Sequence, residues 1–117
     1  MPELTITRGN HYTDENPIKV EVIDKGGNAI NLTGASMAVK FEDIRGTAFS
    51  VDGVTSGNAW DAVASGRFHC CPGTTQTTLL SESVGVDHGW FQVRVAFAGG
   101  GIEYMDRGTL EVKEPIA

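Results

Sequence analysis

The chain has 117 residues, 40% hydrophobic and 21% charged, with 15 glycines and 4 prolines. That is the size and composition of one globular, turn-rich domain, residues 1–117, built on a single core. A formal charge of −6, from 15 acidic and 9 basic residues scattered singly, argues against nucleic acid and anionic membrane as partners, because affinity for a polyanion needs clustered Lys and Arg to release counterions.

Period-two alternation is the dominant local signal, in short segments separated by glycine-containing turns. Leu4 and Ile6 alternate with Thr5 and Thr7 in a first predicted strand. Ile18, Val20 and Val22 alternate with Lys19, Glu21 and Ile23 in a second, which stops at the hairpin turn Asp24-Lys25-Gly26-Gly27-Asn28. Ile30 and Leu32 then lead through Thr33-Gly34 into a half-buried strand with Met37, Val39 and Phe41 on one face and Ala38, Lys40 and Glu42 on the other. From Arg45 to Gly66 the pattern is less regular: Phe49 and Val51 alternate, Asp52-Gly53 offers a turn, and Trp60 sits among small and polar residues. This reads as a long excursion carrying one or two short strands.

Gly66 to Cys71 predicts a strand with Phe68 and Cys70 on one side and Arg67, His69 and Cys71 on the other, and Thr74 to Ser83 fits either a short strand or a helical turn. The clearest hairpin follows. Phe91, Val93, Val95 and Phe97 point one way and Trp90, Gln92, Arg94 and Ala96 the other, before Ala98-Gly99-Gly100-Gly101 turns the chain into Ile102 to Met105. Asp106-Arg107-Gly108 breaks that strand ahead of Leu110 and Val112. Seven or eight short strands predict an all-β fold, an immunoglobulin-like antiparallel β-sandwich, since a sheet with one apolar face must cover it with a second. A small barrel is the alternative architecture.

The residue types that carry chemistry are few. Adjacent Cys70 and Cys71 are able to form a vicinal disulfide, ligate a metal with a histidine, or remain ordinary thiols; strand alternation favours thiols, with Cys70 in the core and Cys71 at the surface. Zinc sites space paired cysteines by two to four residues, and His11, His69 and His88 show no matching spacing, so no metal or other cofactor is expected. None of these histidines belongs to a nucleophile signature, and Gly99-Gly100-Gly101 lies between two strands, where it makes a turn and not a phosphate cradle. The acids Asp14 and Glu15, Glu42 and Asp43, and Asp52 and Asp61 lack the alternating oxygens around a glycine of a calcium loop and read as surface charge. The expectation is a protein without catalytic residues. Trp60 and Trp90 are the candidate partner-contact residues, since tryptophan is enriched at interfaces; with Tyr104 they also keep a carbohydrate-binding or adhesin role open.

Three segments carry a family resemblance: Asn16-Pro17-Ile18-Lys19-Val20-Glu21-Val22 with the Lys25-Gly26-Gly27-Asn28 turn, then Leu32-Thr33-Gly34-Ala35-Ser36-Met37, then Gly89-Trp90-Phe91-Gln92-Val93-Arg94-Val95. Together they resemble the immunoglobulin-like N-terminal domain of phage baseplate upper proteins and related small tail or fibre proteins. The family more often has tyrosine where Trp90 and Phe91 stand. The resemblance implies a bacteriophage virion component of tail, baseplate or head that is made in the host cytoplasm and attaches to other phage structural proteins or to copies of itself as a homo-oligomer; a capsid decoration protein is equally compatible physically, since either role needs only a stable scaffold with exposed loops and sheet edges. The opening Met1-Pro2-Glu3-Leu4-Thr5-Ile6 lacks a basic stretch followed by an apolar run, so no secretion signal is expected and the Asn31-Leu32-Thr33 sequon carries no weight.

Overall fold

The alternating segments become eight strands: β1 (Glu3–Thr7), β2 (Ile18–Glu21), β3 (Ser36–Glu42), β4 (Ala48–Asp52), β5 (Arg67–Cys70), β6 (Gly89–Ala96), β7 (Ile102–Tyr104) and β8 (Gly108–Lys113). A 3-10 turn at Val63–Ser65 and one short helix, α1 (Thr74–Leu79), complete the elements among the described residues. They are seen in a computed structural model that describes residues 3–84, 87–105 and 107–114. Between the two readings left open for the stretch after Cys71, the helical one holds; the Gln76 side chain accepts the Gly73 N–H at 3.0 Å, satisfying a donor at the helix start.

The strands form two sheets, one in the order β1-β8-β6-β3-β4 with β7 also on β6, the other made of β2 and β5. Stacked face to face they give the expected β-sandwich rather than a closed barrel. Pairing is antiparallel except between β1 and β8, which run parallel, Leu4 opposite Leu110 and Ile6 opposite Val112. The break expected at Asp106-Arg107-Gly108 is a shift of register: Tyr104 stands opposite Arg94, but Gly108 stands opposite Phe91, so the β7–β8 side holds one residue more than β6. With that offset one run of chain supplies both β7 and β8 to the same side of β6. Asp106 itself lies outside the described residues.

Alternation decides what is buried. Met37, Val39 and Phe41 of β3, Phe91, Val93 and Val95 of β6 and Leu110 and Val112 of β8 point inward and meet Ile18, Val20, Val22, Phe68 and Cys70 from the small sheet. Both cysteines are free, Cys70 in the core and Cys71 half-buried.

The turns follow local chemistry. Asp24 caps its hairpin by accepting the N–H groups of Gly26 and Asn28 at 2.8 and 2.9 Å. In Leu32-Thr33-Gly34-Ala35 the buried Leu32 anchors a turn closed by the Ala35 N–H on the Leu32 carbonyl, which aims the chain into β3. Gly66, just before β5, is dictated by space as well as by its φ of 73°: a Cβ there would lie 2.4 Å from the Val22 carbonyl oxygen.

Candidate functional site

Two regions outside the core gather functional side chains. The first is the outer face of the small sheet, which the excursion after β4 covers. Val54 bridges His69 backbone to backbone, and the chain then folds back so that the Trp60 Nε1–H donates to the carbonyls of Val20 and Phe68, at 3.2 and 3.0 Å, from the two paired strands. Lys19 and Arg67, projecting outward from β2 and β5, lie 5.9 and 5.2 Å from the centre of its ring. Trp60 is thereby used within the chain, as a clip across β2 and β5.

Beside it, His69 is fully buried on the outward side of β5. Its Nδ1–H donates to Asp61 Oδ1 at 2.7 Å and its Nε2–H to Asp14 Oδ1 at 2.8 Å. The Asp61 side chain is 4% exposed and that of Asp14 57%. Asn58 ties both acids down: its N–H donates to Asp61 Oδ2 and its side-chain amide to the Asp14 carbonyl. Burial alone would push the His69 pKa down, but the hydrogen bonds and charges of Asp61 and Asp14 outweigh it and hold the pKa above the ordinary value. The same bond from His69 holds Asp14 below the usual carboxylate value. The Cys71 thiol donates to Asp14 Oδ1 at 3.6 Å, and burial together with the neighbouring carboxylates raises its pKa. Both ring nitrogens of His69 are bonded to carboxylates, so the cluster is an ion-pair network with metal-ligating groups at its edge.

Sequence order gave little warning of this cluster. Asp14, Asp61 and His69 come from three separate segments, and of its ligating groups only His69 and Cys71, two apart in the strand predicted from Gly66 to Cys71 and thus on one face of it, had a local signal.

The second region is the outer face of the large sheet, which nothing in the described chain covers. Trp90 projects from β6 between Lys40, 5.5 Å from its ring centre, and Arg107, 4.0 Å away, while its Nε1–H donates to Glu42 at 2.9 Å. Next to it a shallow groove of about 270 Å³ runs between Lys40, Ser50, Gln92, Arg94 and Tyr104. Tyr104 is 63% exposed and Ile102, also on β7, 55%. Among the described residues β7 pairs only with β6 and β2 only with β5, so each keeps one edge unpaired. Between these two edges the sandwich opens into a cleft of about 630 Å³ whose walls include Val22, Ile23, Ile30, Phe91, Val93 and Tyr104.

The remaining candidate acids have structural duties or none. Asp43 is buried and accepts the N–H groups of Arg45, Thr47 and Ser81. Glu42 serves Trp90, whereas Glu15 and Asp52 are exposed. His11 is exposed and His88 half-buried, and neither joins the His69 cluster. No protein-family model and no curated protein sequence compared with the chain gives a match.

Proposed function

We propose that the protein is a non-enzymatic assembly module that docks through the open side of its sandwich, from Trp90 and the Tyr104 groove to the β7 edge and the cleft beneath it. The observation that carries this reading is the exposed pair Ile102 and Tyr104 on a strand with one unpaired edge, beside an apolar cleft. An unpaired edge offers backbone donors and acceptors to an incoming strand, and aromatic and arginine side chains held at a surface are the usual anchors of binding energy. Lys40, Arg94 and Arg107 make this face basic in a chain of net charge −6, so it is complementary to acidic surface elsewhere on another copy.

The setting in a tailed-phage particle, with other virion proteins or further copies of this chain as partners, rests on the resemblance of the three segments that begin at Asn16, Leu32 and Gly89. Leu32 and Trp90 from those segments act as turn anchor and face residue respectively. A carbohydrate-binding role has less support, because both indole rings already carry cationic side chains and Tyr104 is left as the bare aromatic.

Sedimentation velocity over a concentration series, alone and with the virion proteins encoded beside it, tests the proposal. Association that disappears in the double variant Ile102→Lys, Tyr104→Ala supports it. A chain that stays monomeric at millimolar concentration and binds none of those proteins overturns it.

A further inference from the structure

The geometry points to a binding site for a transition-metal ion of zinc type formed by Asp14, His69 and Cys71, with Asp61 as the group that orients the histidine. The inference is independent of the docking role, for the site lies on the outward side of the small sheet, away from β7.

Three observations carry it. One ligand atom from each of the three residues falls within a sphere where all lie within 4.8 Å of one another. In a tetrahedral zinc shell, with bonds of about 2.0–2.3 Å, neighbouring ligand atoms stand about 3.3–3.8 Å apart. The Sγ to Oδ1 separation of 3.6 Å already matches, and the 2.8 Å between Nε2 and Oδ1 needs to open by about half an ångström. Asp14 is the partner free to move, being 57% exposed on a loop, while His69 lies on β5 and Cys71 directly follows that strand. The ion takes the place of the proton that otherwise bridges Nε2 and Asp14.

The second observation is the far side of the ring. His69 Nδ1 is committed to Asp61, a carboxylate 4% exposed and itself held by the Asn58 N–H. That carboxylate–histidine arrangement keeps the Nδ1 proton on the Asp61 side, so loss of the Nε2 proton leaves the lone pair facing Asp14 and Cys71, and it is the usual support behind a metal-ligating histidine. The third is the donor set. One imidazole, one thiolate and one carboxylate suit zinc or cobalt, whereas calcium and magnesium take oxygen ligands. With Asp14 and Cys71 both reached by solvent, water completes the shell.

Cobalt(II) titrated into the chelator-stripped full chain tests the site. The expected result is a thiolate-to-cobalt charge-transfer band that saturates at one equivalent and is displaced by zinc. It should vanish in Cys71→Ser and persist in Cys70→Ala, and Asp61→Asn should weaken binding about 10–100-fold. Because Asp14 and Cys71 lie outside the core, Asp14→Asn and Cys71→Ser report on folded protein, with circular dichroism as the check. Absence of a saturable band, or a band undiminished in Cys71→Ser, overturns the proposal.

Discussion

Trp60 and Trp90 stand on the outer faces of opposite sheets, each half-buried and each with two cationic side chains over its ring. Their surroundings nevertheless differ. The Trp60 N–H is spent on two backbone carbonyls of paired strands, and a loop stitched by Asn58, Asp61 and His69 lies over the same sheet. The Trp90 N–H is held by a side chain, Glu42, with Tyr104 and Arg94 along the same face. One tryptophan ties two strands of the molecule together, and the other is anchored to a side chain of its own sheet face. An aromatic ring ringed by cations is thus no guide to function until the use of its polar atom is known.

The comparison is broken most severely at His69. His69→Ala leaves the buried Asp61 carboxylate without its counter-charge and should cost about 4 kcal/mol in urea unfolding. The two tryptophans should then separate. Trp60→Ala, which removes the clip across β2 and β5, should cost about 3 kcal/mol, and Trp90→Ala about 1 kcal/mol. Equal losses would contradict the assignment of one ring to the fold and the other to the surface.

A smaller effect is expected from pH, measured as the urea midpoint of metal-free protein. The pKa of His69 is raised in the fold, so its contribution is complete below its ordinary value of 6.5 and is lost as pH rises through the raised value. Asp14 is lowered, so its contribution is present above 3.8 and is lost as pH falls through the lowered value. Stability from this cluster should therefore be greatest between those ordinary values, and His69→Gln should flatten the alkaline limb. The smallest change in stability belongs to the open face. Tyr104→Ala should shift unfolding by less than about 0.5 kcal/mol, while with Ile102→Lys it abolishes association.

Much of the architecture was legible from residue order alone. Alternation at Ile18 to Val22, Met37 to Phe41 and Phe91 to Val95 named both the strands and their buried faces, because a strand's side chains change sides at every residue whatever its partners. Gly26-Gly27 and Gly99-Gly100-Gly101 marked turns for an equally local reason, the positive φ seen at Gly27 and Gly100. Which strands pair was decided only in three dimensions: the parallel contact of β1 with β8 sets Glu3 to Thr7 beside Thr109 to Lys113, chain from opposite ends of the sequence. The same holds for the His69 cluster. Asp14 and His69 are 55 residues apart, and hydrogen bonds and charge act through space over a few ångströms, so no spacing rule along the chain could bring those two carboxylates to one imidazole.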